Sequence, residues 1–270
     1  MNHDNLRLRR AALCLACLSA LNSPSLATAQ IVAGDTPAAG DSTAVRPMRL
    51  DVPAFSTLFK DTVEDFGRLP SRDSLKWVGI GVAAAALAHP VDRRASRALS
   101  TAPMLDKVFE PGKTVGGARF QLAGALATYA IGRATRSSMT TRVGTDLLQA
   151  QLLSQALTTG IKMSVRRTRP DGQQYSFPSG HASVTFASAT VLQRNLGWKV
   201  GLPAYGVATY VAASRIQEKR HFLSDVAFGA AIGIIAGRTV TVGRGNRRFA
   251  VAPAATAGGA GISFTWIGRD

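Results

Sequence analysis

Six stretches of this chain are apolar almost throughout, over residues 75–88, 120–133, 147–164, 182–193, 200–214 and 224–240. Each reads as a helix. Ala and Gly dominate them, which permits close helix–helix approach. No internal repeat is evident, so the expected architecture is an all-α helical bundle of about six core helices. Ahead of them, Phe55, Leu58, Phe59, Val63 and Phe66 fall on one stripe at helical spacing, with Asp61, Glu64 and Asp65 on the other face. That helix is expected to pack its stripe on the core, the alternative being a membrane surface. After the bundle the period changes. Phe249, Val251 and Pro253 alternate, residues 256–261 are turn-like, and Ile262, Phe264 and Trp266 alternate again, predicting a C-terminal β-hairpin.

The N-terminus carries a different pattern. Arg7, Arg9 and Arg10 precede an apolar run over 11–21, and Ala27-Thr28-Ala29 is an A-x-A cleavage site before Gln30. Residues 1–29 are therefore expected to be a secretory signal, and 30–52, rich in Ala, Gly, Pro and Asp, a disordered linker. A helical domain over 53–246 and the hairpin tail over 247–270 complete the expected layout. Both cysteines, Cys14 and Cys17, fall inside the signal, so the exported protein would form no disulfide and bind no metal through sulfur. The formal net charge is +16. Such an excess favours anionic partners, an anionic membrane surface above all. No nucleic-acid motif or aromatic interleaving accompanies it, and nucleic acid is not the expected partner. Spanning a bilayer takes about 18 or more consecutive apolar residues, and the charge-free runs are shorter. Composition points to the membrane while length points to a compact or partly embedded bundle. The expected location is the cell envelope, periplasmic or membrane-associated.

Chemistry is concentrated in three segments. Lys162 and Arg169 are seven apart, so on a helix they would share one face two turns apart, with Pro170 marking the helix exit. Two cations at the mouth of a buried helix suit a tetrahedral oxyanion, Arg169 offering a planar fork. Arg166 and Arg167 beside them fit a solvated basic helix end. Pro178-Ser179-Gly180-His181 precedes an apolar run and reads as a helix start. Ser179 would cap it, Gly180 would leave backbone N–H groups approachable, and His181 would lie one side chain from a bound anion. Finally, His221 and Asp225 stand at i, i+4 on an expected helix start, where a carboxylate can fix an imidazole's tautomer. Arg215, six residues before His221, adds a third cation.

The pattern Lys162-x6-Arg169-Pro170, Pro178-Ser179-Gly180-His181, Ser214-Arg215-x5-His221-x3-Asp225 resembles the type 2 phosphatidic acid phosphatase superfamily. That family shares its core with bacterial class A acid phosphatases and vanadium haloperoxidases. The resemblance implies that His221 is the nucleophile forming a phosphohistidine and that Asp225 orients it. It implies His181 as the acid that protonates the leaving oxygen and then activates water. Lys162, Arg169, Ser179, Gly180 and Arg215 would hold the phosphoryl oxygens. No metal or other cofactor is required, because the cations substitute for one. Only seven residues separate Pro170 from Pro178, which leaves little room for a lid from that loop. The expected substrate is a phosphorylated lipid or a small phosphate ester, cleaved as a monoester or diphosphate. Other readings are a soluble broad-specificity acid phosphatase, a vanadium-dependent haloperoxidase, and non-catalytic binding of phosphorylated lipids. The oligomeric state is not legible.

Overall fold

The computed structural model describes residues 58–101, 103–242, 248–256 and 259–267. The expected signal and linker lie outside them. Up to residue 240 the described chain consists of helices joined by turns and a loop over 166–179, in the order α1 (Leu58–Arg68), α2 (Arg72–Ala88), a 3-10 turn (His89–Val91), α3 (Asp92–Ser100), α4 (Pro103–Val115), α5 (Ala118–Ala134), α6 (Ser138–Val165), α7 (Gly180–Leu196), α8 (Trp198–Gln217) and α9 (Leu223–Val240). Two strands follow, β1 (Arg248–Thr256) and β2 (Gly259–Ile267), paired antiparallel with Thr256 opposite Gly259. The all-α bundle and its appended hairpin are thus as expected. Each of the six apolar runs lies in a helix, α2 and α5 to α9. The polar helices α3 and α4 were not anticipated.

The core is built where α6, α7 and α9 meet, with α2, α5 and α8 packed around them. Leu147, Leu148 and Leu153 of α6, Val191 of α7 and Val240 of α9 are buried there. What brings α7 and α9 so close is a glycine stripe. A Cβ on Gly229, Gly233 or Gly237 would come within 2.6 Å of Ser179 O, 2.2 Å of Ser183 O and 2.6 Å of Thr190 Cβ respectively, so a side chain at these positions would force the helices apart. The N-terminal ends of α7 and α9 are in this way fixed side by side.

Two details differ from the expected layout. In helix α1, Thr62 and Asp65 are buried, while Val63, Glu64 and Phe66 are exposed. Asp65 accepts a hydrogen bond from Arg68 at 3.1 Å, which helps a carboxylate tolerate the interior. Of the expected apolar stripe, Val63 and Phe66 therefore do not pack on the core, and Phe55 lies outside the described residues. Helix α6 stops at Val165, not at Pro170, because Arg166 takes a left-handed conformation (φ 49°) and caps it. Lys162 is on the helix and Arg169 is in the loop beyond, so they do not share a helical face.

Candidate active site

Five helix ends converge on one cavity of about 260 Å³. Lys162, with Gln155, Thr158 and Thr159, comes from the last turns of α6; Gly180 and His181 open α7; Arg215 comes from the last turn of α8; Arg220 and His221 immediately precede α9; Ala118 opens α5. Arg169 reaches the same cavity from its loop, which closes on itself by Arg169 N donating to Gln173 O at 2.7 Å and Gly172 N to Arg169 O at 3.0 Å. Of the eight expected site residues, six line the cavity: Lys162, Arg169, Gly180, His181, Arg215 and His221. Ser179 and Asp225 lie behind that wall. Both are fully buried. The Ser179 hydroxyl caps α7 by accepting from Ala182 N, and its backbone N–H donates to Asp225 O at 2.9 Å. Ser179 thus locks the two helix starts together rather than facing the cavity.

His221 is held from behind. Its Nδ1 is 2.7 Å from the Ser176 carbonyl, which can only accept, so Nδ1 carries the proton and Nε2 the free pair. The nearest Asp225 oxygen is 3.8 Å from Nδ1, so the carboxylate acts on the ring as a charge rather than through the expected hydrogen bond. Asp225 is otherwise fully engaged. Oδ2 accepts from the Ser176 hydroxyl and, at 2.8 Å, from Phe222 N; Oδ1 accepts from Arg167 Nη1 at 2.6 Å. The carboxylate therefore caps α9 at its N-terminus and sets Ser176, which in turn sets His221.

The electrostatics are those of an anion site. Burial, reinforced by the Arg169 charge, lowers Lys162 to about 8. Burial and the nearby Arg215 charge lower His181 to about 4, against a hydrogen bond to the Lys113 backbone. Burial likewise pushes His221 below its ordinary value, although Asp225 opposes it. The Nε–H groups of Arg169 and Arg215 are buried with no protein hydrogen-bond partner. Arg215 also grips Glu218 with both terminal nitrogens (3.2 and 3.0 Å), and Arg220 pairs with Asp171 at 2.9 Å. Cations crowded into a half-dry cavity disfavour their own charge and favour an incoming anion.

Sequence reasoning missed two arginines here. Arg220 lines the cavity, and adjacency to His221 was its only signal. Arg167, expected to be solvated, instead points inward to Asp225, while its neighbour Arg166 is exposed. Gln155 and Thr158 were legible by spacing, at seven and four residues before Lys162 on the same helical face.

The PAP2 superfamily model matches residues 144–249. A lipid A 1-phosphatase of Porphyromonas gingivalis is 39% identical over 99 residues, 34% of this chain and 22% of that protein. A decaprenylphosphoryl-5-phosphoribose phosphatase of Mycobacterium tuberculosis is 39% identical over 107 residues, 36% of this chain and 59% of that protein. The chain thus spans less than two thirds of these relatives. Among solved structures, the transmembrane PAP2 type phosphatidylglycerolphosphate phosphatase from Bacillus subtilis shares the fold, with a TM-score of 0.51 at 20% identity over 69% of this chain and 94% of that one. With its three motifs folded around one cavity, the chain is similar to the PAP2 superfamily over residues 144–249.

Proposed function

We propose that this chain is a phosphatase that hydrolyses the phosphate monoester or diphosphate of a lipid through a phosphohistidine at His221, without a metal. The observation that carries the reading is the convergence of Lys162, Arg169 and Arg215 on one cavity with two imidazoles, one of them holding its free pair on Nε2. The cations and the Gly180 backbone at the start of α7 bind the phosphoryl oxygens. His221 Nε2 attacks phosphorus, the bond to the leaving oxygen breaks, and His181 gives that oxygen its proton. The imidazolium-like phosphohistidine is steadied by the Ser176 carbonyl and the Asp225 charge. His181 then takes a proton from water as the water attacks phosphorus, the P–N bond breaks, and inorganic phosphate leaves. A His181 near 4 is unprotonated at neutral pH, so the proton it donates must arrive with the anion, whose charge raises its pKa.

A lipid substrate is supported by what the helices expose. Leu75 and Leu87 of α2 and Trp198 and Leu202 of α8 are all at least 65% exposed. Meanwhile Thr145, Asp146, Gln149 and Ser154 of α6 are buried. Apolar outside and polar inside is the order expected where the surroundings are lipid. The helical run Arg72–Ser100 and helix Leu223–Val240 are long and apolar enough to cross a membrane. The names of the curated relatives, both phosphatases and one of them of lipid A, point the same way. The test is phosphate release from phosphatidic acid, a polyprenyl diphosphate and p-nitrophenyl phosphate, with and without detergent. Preference for the lipids is expected; equal turnover of the small ester without detergent would instead indicate a soluble acid phosphatase.

A further inference from the structure

Arg167 touches neither the cavity nor the reacting atoms, yet both supports of His221 run through it. Its Nη1 donates to Asp225 Oδ1 at 2.6 Å and to Ser224 Oγ at 2.7 Å, and its Nη2 donates to Asp92 Oδ2 at 2.8 Å. Its backbone carbonyl accepts from Ser176 N at 2.7 Å, and Ser176 is the residue whose own carbonyl holds His221 Nδ1. The guanidinium lies over the Phe222 ring at 4.4 Å, and His89 Nδ1 stands 3.4 Å from Nη2. Asp92, the first residue of α3, closes the arrangement from the far side. Its carboxylate also accepts from Ser224 N at 2.9 Å and Ser224 Oγ at 2.6 Å. Both carboxylates are almost wholly buried, Asp92 at 3% and Asp225 at 0% exposed.

A planar guanidinium forked between two buried carboxylates has little freedom to move either of them. Taking away one carboxylate leaves the cation balanced by the other alone, which draws Asp225 toward Arg167 and away from Ser176 and the imidazole. We propose that Arg167 and Asp92 are positioning residues for His221, and that Asp92 extends the catalytic apparatus to a helix outside the matched residues 144–249. The inference rests on the phosphohistidine reading. It assigns the brace to the chemical step rather than to anion binding, because neither residue lines the cavity formed by Lys162, Arg169 and Arg215.

The experiment compares the full chain with its Asp92→Asn, Arg167→Lys and His221→Ala variants, reading kcat, KM, inhibition by inorganic phosphate and thermal unfolding. Asp92→Asn and Arg167→Lys are expected to lower kcat by about 10- to 100-fold, by analogy with loss of the partners that orient a metal-ligating histidine. KM and inhibition by inorganic phosphate should stay within about twofold, as for an interaction made only in the transition state. If Asp92→Asn does not fold, Arg167→Lys, which keeps the charge but not the fork, carries the same comparison. Wild-type kcat in a folded variant overturns the proposal. So does a joint loss of kcat, phosphate inhibition and thermal stability, or failure of both variants to fold, since these mark a structural brace. Turnover by His221→Ala would remove the phosphohistidine reading itself, an outcome distinct from wild-type kcat in Asp92→Asn beside an inactive His221→Ala.

Discussion

Lys162 is the side chain whose charge the cavity controls most directly. At about 8 its pKa lies within reach of ordinary assays. An anion binds the charged form, so affinity is full below that pH and declines as pH rises through it. The expected outcome is a rise in KM for a phosphate ester, and weaker vanadate inhibition, above about pH 8. Lys162→Met should weaken binding at every pH and abolish this limb; persistence of the limb in the variant would assign it elsewhere. His221 must be neutral to attack, and burial holds it below the ordinary 6.5, so an acid limb of kcat/KM due to it falls below pH 6.5. Asp225→Asn should reduce kcat by about 10- to 100-fold, less than loss of the nucleophile, because Ser176 still fixes the tautomer. That these residues gather at one place was legible in the motifs. Arg167 was not. Two adjacent arginines at a helix end look alike in sequence, and what separates them is a partner 75 residues earlier, Asp92, and a left-handed Arg166 that turns the chain.

At the scale of the element, the site depends on how closely α9 lies against α7. Gly233→Val would drive a side chain into the Ser183 backbone and is expected to cost about 1–3 kcal/mol by overpacking, or more if the helices separate. Denaturant unfolding measures the loss, and an unchanged midpoint would mean that the two helices can part without penalty. The apolar runs located six helices because a helix packed on several sides needs apolar residues all round. They understated α6, which begins at Ser138 rather than 147. Its first turns hold Arg142 and the buried Thr141, Thr145 and Asp146, residues a hydrophobic run does not include. Helices α3 and α4 escaped notice for the same reason, with Arg93, Arg94 and Arg97 in one and Pro111 in the other. Helix α1 shows the limit of periodicity. The spacing of Val63 and Phe66 fits a helix, but it does not say which side faces the core, where Thr62 and Asp65 are buried instead.

For the whole molecule, apolar faces outside and polar ones inside predict that the purified chain needs detergent and floats with vesicles. Vesicles containing an anionic lipid should capture it more strongly at low salt than neutral ones, as the +16 charge requires. A monodisperse chain that stays in the aqueous fraction without detergent would contradict the membrane reading while leaving the site intact. Addition of a chelator should not alter turnover, because Lys162, Arg169 and Arg215 supply the charge a metal would bring. Marked inactivation would point to an ion acting at the cavity.

The most direct measurement is a rapid acid-free quench of the enzyme with a phosphate ester labelled on phosphorus, followed by isolation of the protein. Wild-type chain should carry acid-labile, base-stable label at His221 during turnover, and His221→Ala should carry none and release no phosphate. Phosphate release by His221→Ala at a rate near wild type would contradict the phosphohistidine at the centre of this reading.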